Sequence, residues 1–336
     1  METGGKQTHK KITLRDISER TGLSINTVSK VLNKKPYYTK EVEQKVLQAI
    51  SELGYIVNLN AAGLRSGSTR TVAIIFDDIA SPFYSYMTDA IAKRFDAAGY
   101  DTVIFSNYGR NAYVDEALLR RVLARKPDGI MSFLEPSPET VRLIRRHGVP
   151  FLIFGRCGEK YGLPSVHADT EVGGRIAAEH LFERNYTHTA FVGSEAGIGV
   201  GEDRLRGYAK VLEEHGIALA DTPVLYVKEL GYEKVAQELL RANVNGIFCY
   251  SDIIAFKANS PLKNAAQSVG QAYGIFGKDN IQSRRELPEM ITTIDVGNEA
   301  LAVGGAARML GLLQGNDEDV FPEGGIKPFL VKGPTT

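Results

Sequence analysis

The sequence predicts an all-α helix-turn-helix head joined to a larger α/β body of parallel sheets wound with helices. Three observations carry this. Residues 1 to 70 hold 12 basic and 6 acidic side chains, a net of +6, although the 336-residue chain balances 40 Lys and Arg against 40 Asp and Glu and so leaves −6 on the rest. From Ile12, two short amphipathic stretches with strong start signals follow one another with only about three residues between them. From Thr71 onward, short β-rich runs alternate with helical segments of about 10 to 17 residues.

Length and composition set the bounds. A chain of this size with 43% apolar residues has room for two or three domains with ordinary cores, which excludes disorder for most of it. The start METGGKQTHKK lacks an apolar h-region, and no uninterrupted apolar stretch approaches the roughly 20 residues that span a bilayer. Neither export nor membrane insertion is expected, and the expected location is cytoplasmic. Cys157 and Cys249 lie far apart and at no metal spacing, so both are expected to be small buried hydrophobes in a reducing compartment.

In the head, Thr13 is placed to N-cap a helix whose N3 residue is Asp16, with Ile12 and Ile17 as its hydrophobic staple. That helix runs to about Thr21, and Gly22 stops it. Ser24 starts a second helix, stapled by Leu23 and Val28 and reaching about Asn33. Within it Val28, Val31 and Leu32 recur at helical spacing and face a small core. The opposite stripe is Ile25, Asn26, Ser29, Lys30 and Asn33, which includes amide, hydroxyl and cationic groups able to bond base edges and phosphates in a major groove. A third helix begins at Thr39, turns Val42, Val46, Ile50 and Leu53 to one face, and ends at Gly54. On an isolated helix such a stripe is simply the solvated side, and an excess of six charges is common on surfaces. A short corner, repeated caps and positive charge in one place favour DNA.

In the body, TVAIIF, DTVIFS, GIMSF, FLIF, TAFVG, VLYV, GIFCY, AYGIF, MITTI and KPFLV read as ten strands, enough for two parallel sheets with helices on both faces. A ligand belongs at the carboxyl ends of those strands, between the halves. GIGVG at Gly197 to Gly201 lacks the third glycine of a dinucleotide fingerprint and lies in a loop before the helix expected at about Asp203. His147 and His215 precede glycines at helix ends, and His180 and His188 have no partner at ligand spacing, so no metal is expected. Neither G-x-S-x-G nor a Ser or Cys nucleophile with an evident base stands out; no catalytic site and no cofactor are read.

The run ITLRDISERTGLSINTVSKVLNKKPYYTKEVEQKVLQAISELGYIVNLNAAGLRSGSTRT resembles the DNA-binding head and hinge of the LacI/GalR family, the lactose-repressor and galactose-repressor family of bacterial transcription regulators. TLRDIS, GLS-x-x-TVS-x-VLN, ELGY and the closing N-x-x-A-x-x-LRSG-x-T-x-T carry the match. The resemblance implies that Ile25 and Asn26 read bases with Ser29 and Lys30 beside them, and that Thr13, Ser24, Thr27 and Asn33 contact phosphate or cap helices. Lys30 stands where Arg is usual, which keeps the charge without the bidentate geometry. Asn58 to Ser66 matches the family's hinge helix; Leu64 would wedge open the central minor-groove step, with Asn58, Ala61 and Arg65 as nearby contacts. Ile56 and Val57 replace the proline usual after ELGY.

FDDIASPFY, VHADTEVGGRIAAEHL, EDRLRGY and ITTIDV resemble segments of the family's two-lobed, periplasmic-binding-protein-like effector domain. On that basis the chain divides into a helix-turn-helix domain at 1–57, a hinge helix and linker at 58–70, and an effector-binding and dimerisation domain at 71–336. Lobe 1 would take about 71–168 and 295–323, lobe 2 about 169–294 and 324–336. Phe83 and Tyr84 would stack on the ligand, Asp169, Arg204 and Asp279 would hydrogen-bond it, and Asp78, Ser81, Arg156 and Asp252 would lie close by. Those residue types suit a sugar or other polyol. The chain departs from the family at Ser251-Asp252 for Asn-Asp, at Gly155 for an acidic residue, at Lys278 for an aromatic, and at Pro261 inside an expected helix. The added Lys278 is compatible with a phosphorylated or acidic ligand.

The implied protein is a repressor-type homodimer on an inverted-repeat operator, with an effector that changes the angle between lobes. No heptad tail follows the last strand, so a dimer is expected rather than a tetramer. Two further readings stay open: the same regulator controlled by a partner protein, and a solute-binding or enzymatic body carrying a DNA-binding head.

Overall fold

The structure is a computed structural model that describes residues 12–33, 35–56, 67–108, 113–197, 199–269, 272–284, 290–316, 321–322 and 324–336. The chain divides into two compact units, Met1–Thr69 and Arg70–Thr336. The expected hinge contacts Asn58, Ala61, Leu64 and Arg65 lie outside the described residues.

The head contains α1 (Leu14–Thr21), α2 (Ile25–Leu32) and α3 (Lys40–Leu53). Its starts are made as the caps dictate. The Thr13 N–H and hydroxyl both donate to the Asp16 carboxylate, at 2.8 and 2.6 Å. The Ser24 and Thr39 hydroxyls accept from the N–H groups of Thr27 and Val42, at 3.1 and 3.4 Å. Gly22 turns the corner after α1 with φ 68°, a left-handed conformation that strains other residues. Ile17, Val28, Val31, Val46 and Ala49 form the buried centre, ringed by partly buried residues such as Leu14, Leu23, Val42 and Ile50.

The body holds two parallel sheets. The first runs in the order β2-β1-β4-β6-β7, from Asp101–Ser106, Thr71–Phe76, Gly129–Ser132, Phe151–Phe154 and Ser165–Val166. The second runs β11-β10-β8-β9, from Gly274–Phe276, Gly246–Cys249, Thr189–Gly193 and Val224–Tyr226. Central strands such as β4, β6, β8 and β10 are buried along their whole length, which is why they read as continuous apolar runs rather than alternating ones. The helices between strands are α4 (Pro82–Ala97), α5 (Glu116–Leu123), α6 (Pro138–His147), α7 (Thr170–Glu183), α8 (Gly199–Glu214), α9 (Val227–Leu230), α10 (Tyr232–Arg241), α11 (Asp252–Val269) and α12 (Asn298–Leu313). α7 and α8 cross with touching backbones: a Cβ on Gly174 would lie 2.1 Å from the Arg204 carbonyl oxygen, and one on Gly207 1.9 Å from that of Glu171. This close crossing fixes Arg204.

Several expectations need correction. Neither MITTI nor KPFLV joins a parallel sheet; β13 (Phe329–Val331) pairs antiparallel with β12 (Thr293–Asp295) in a separate ribbon. Two further short strands, β3 (Tyr113–Val114) and β5 (Glu135–Pro136), pair with each other, and β7 was not anticipated because two residues leave no period to read. Cys157 is exposed, since it follows β6 on a loop beyond Gly155 and Arg156, while Cys249 inside β10 is buried. α11 continues through Pro261 despite the missing N–H, because Ala255, Ala258, Leu262 and Ala266 are buried along it.

Where the chain passes between sheets, its passages are bonded together. The Asp169 N–H donates to the Ile326 carbonyl and the Ile326 N–H to that of His167, both at 2.9 Å. The Asp279 N–H donates to the Ile294 carbonyl, also at 2.9 Å.

Candidate nucleic-acid interface and ligand cavity

On α2, burial of Val28 and Val31 leaves the other side in solvent. Asn26 is exposed, Ile25 is exposed by 48%, and Ser29 and Lys30 are half-buried. Four expected contact residues have local work. Thr13 bonds Asp16, Ser24 and Thr27 share a hydroxyl contact at 2.9 Å, and the Asn33 amide donates back to the Ser29 carbonyl at 2.6 Å. Arg15 and Arg20 are paired with Glu19 and Glu52, at 3.2 and 2.5 Å. Lys30, Lys35, Lys40 and Lys45 form no ion pair among the described residues, so the unpaired positive charge of the described head is carried by lysines. An apolar side chain held in water beside an amide at the start of a capped helix is an arrangement that suits base edges rather than folding.

In the body, a cavity of about 570 Å³ opens at the carboxyl ends of both sheets. Its lining reads off the strand ends: Asp77 follows β1, Phe133 follows β4, Gly155 and Arg156 follow β6, Ser194 and Glu195 follow β8, Tyr250 follows β10, and Lys278 and Asp279 lie just beyond β11. The structure brings together Asp78, Ser81, Phe83, Tyr84, Arg156, Arg204 and Asp279 of the expected residues. Ser81 precedes the N1 proline of α4, whose first turn presents Phe83 and Tyr84. Tyr84 stacks on Phe76 at 5.3 Å between centroids and meets Phe133 edge-on. Burial first, and the Asp77 carboxylate second, hold its hydroxyl protonated well above the ordinary range, so it serves as a neutral polar group. The Arg156 Nε donates to the Phe133 carbonyl at 2.9 Å. The Arg204 guanidinium lies 4.0 Å from the Tyr250 ring centroid and donates to the Tyr250 carbonyl at 2.6 Å.

Asp169 and Asp252 do not line this cavity. Asp169 caps α7, accepting from the Val172 N–H at 3.0 Å, and lines a second cavity of about 380 Å³. Asp252 is wholly buried and accepts from the Ile281 N–H at 2.9 Å and the Thr293 hydroxyl at 2.5 Å, tying the start of α11 to the 3₁₀ turn Ile281–Arg284 and to β12. Burial first, then the neighbouring Asp279 charge, push its carboxyl up to about 7. Asp77, Phe133, Tyr250, Lys228 and Lys257 line the cavity without having been singled out. A rule that takes the residue after every buried strand would have found Asp77, Phe133 and Tyr250. Among the described residues no group of three or more His, Cys, Asp or Glu is placed to hold a metal, and no helix is long and apolar enough to cross a membrane.

An exposed helix-turn-helix face in one unit and a two-sheet, cavity-bearing body in the other define the class of two-part DNA-binding regulators. Comparison with known proteins is more particular. Residues 13–58 match the bacterial regulatory proteins of the lacI family, and residues 178–336 match the periplasmic binding protein-like domain. The chain is 29% identical over 289 residues to the ribose operon repressor of Halalkalibacterium halodurans, covering 84% of this chain and 85% of that one. It is 27% identical over 320 residues to the HTH-type transcriptional regulator MalR of Clostridium butyricum, covering 91% and 94%. The lac repressor dimer bound to operator and the anti-inducer ONPF has the same fold, with a TM-score of 0.80 at 22% identity over 97% of this chain and 99% of that one. A LacI-family regulator from Silicibacter pomeroyi aligns with a TM-score of 0.79 at 23% identity, over 96% and 99%. The chain joins a DNA-binding domain of the lacI family to a periplasmic binding protein-like domain and is a DNA-binding transcriptional regulator.

Proposed function

We propose that this regulator is a homodimeric repressor acting in the cytoplasm, with no catalytic role, whose operator affinity is set by a small sugar-like effector. Residues 1–57 read the half-sites of an inverted repeat through Ile25 and Asn26, with Ser29 and Lys30 beside them. Residues 58–70 form the hinge, with Leu64 as the minor-groove wedge. Residues 71–336 bind effector and partner subunit.

The observation that carries the effector reading is the single cavity that collects Asp78, Ser81, Phe83, Tyr84, Arg156, Arg204 and Asp279 from elements around both sheets. Aromatic faces beside hydrogen-bonding and charged groups suit a polyol. Because both sheets contribute to the lining, a ligand that bridges them favours one arrangement of the lobes over another, and DNA affinity follows by that differential affinity. Selection of bound sequences from random DNA should return an inverted repeat. Sugars, sugar acids and sugar phosphates should then be screened by thermal shift and by their effect on operator affinity. A set that neither stabilises the protein nor alters DNA binding counts against the effector. Unchanged operator affinity and bending for Leu64→Ala counts against the hinge.

A further inference from the structure

The ligand cavity holds more buried positive charge than its own carboxylates balance. Arg204 and Lys278 both line it and are only 5% and 4% exposed. Lys278 Nζ has a counterion, donating to Asp279 Oδ1 at 2.7 Å. Arg204 forms no ion pair among the described residues: its Nη1 goes to a backbone carbonyl, its face to the Tyr250 ring, and its buried Nε has no hydrogen-bond partner. Asp252, the other buried carboxylate of this corner, spends its two oxygens on Ile281 and Thr293. At the cavity's edge Lys228 is paired with Glu195 at 2.8 Å, while Lys257 has no ion pair among the described residues. A guanidinium held away from water is costly unless an anion pairs with it, and carboxylates and phosphates are the anions its planar fork of donors suits.

We propose that the effector carries an anionic group, a carboxylate or phosphate, bound by Arg204 with Lys278 as the adjoining cation; this rests on the reading of the cavity as the effector site. A neutral sugar would leave the guanidinium charge unpaired. An anion pairs it, and Lys278, buried in the same lining, adds a second cation. Attraction between the buried cations and the incoming charge then selects acidic sugars over their neutral parents.

The test is calorimetric titration of the full chain with D-glucose, D-gluconate, glucose 6-phosphate, D-ribose and ribose 5-phosphate. At least one anionic member should bind about tenfold or more tightly than its neutral parent, and Lys278→Met should reduce that preference by about tenfold. Gluconate against glucose 6-phosphate separates carboxylate from phosphate. The neutral-against-anionic comparison uses the unmodified chain, so it stands even if the variant does not fold. Neutral sugars binding as tightly as their acids would overturn the anionic inference and leave the sugar effector in place; binding by none of the five would overturn both. A preference that Lys278→Met leaves unchanged would remove Lys278 from the site.

Discussion

The head and the cavity place their functional side chains in opposite ways. On α2 the residues assigned to DNA are neighbours in sequence, exposed or half-exposed, and need only that Val28 and Val31 be buried on the other side. Around the cavity the lining is drawn from Asp77 through to Leu301, is largely withdrawn from water, and depends on two sheets ending at the same place. A surface that reads is encoded locally. A cavity that encloses is encoded by every strand that ends at it.

The contrast predicts unequal tolerance to core damage. Ile17→Ala should cost about 2–5 kcal/mol, enough to unfold a head whose buried centre counts five residues among those described and to abolish operator binding, while ligand binding persists. Leu181→Ala, at an equally buried site in the larger body core, should lower its melting temperature without unfolding it. Equal losses by circular dichroism and operator binding would break the comparison.

Asp252→Ala should come next, costing the body about 2–4 kcal/mol because two buried donors, Ile281 N–H and Thr293 hydroxyl, lose their acceptor. Operator-free thermal unfolding reads it. The same carboxyl has a sharper signature in pH. It is raised from its ordinary value of 3.8 to about 7 in the folded state, so between those values the fold binds more protons than the unfolded chain. Body stability should therefore fall as pH rises from about 4 through about 7. Asp252→Asn should flatten that slope, and a wild-type slope of opposite sign would show that other groups dominate.

Smaller effects belong to the head's surface. Asn26→Ala should remove about 1–3 kcal/mol of discrimination at one base position without changing the melting temperature, as measured by binding to single-base operator variants. Ser24→Ala should cost about 1 kcal/mol of head stability through the lost cap to the Thr27 N–H and shift no base preference. A change of preference there would move Ser24 from the scaffold to the reading surface.

Much of this was legible in the residues alone. Thr13, Ser24 and Thr39 announced three helix starts, Gly22 a tight corner, and the apolar runs most of the body's strands, because caps and periodicity act over a few residues. The cavity was legible only in part. Asp169 and Asp252 have the chemistry of ligand contacts, yet one caps α7 and the other braces α11, and a carboxylate's type does not say which way its oxygens face. Tyr250, Asp77 and Phe133 went unnoticed because each is an ordinary residue until its strand is placed in a sheet.

The sequence by itself determined the resemblance to the LacI family, the helical head with its exposed polar stripe, and the alternation that makes a parallel body, all carried by local spacing and by a charge excess confined to one end. Only the tertiary structure decided which carboxylates face the cavity, that the last strand runs antiparallel in its own ribbon, and that Arg204 is buried with no ion pair among the described residues. Those outcomes depend on contacts between residues far apart in the chain, where burial changes what a charge costs.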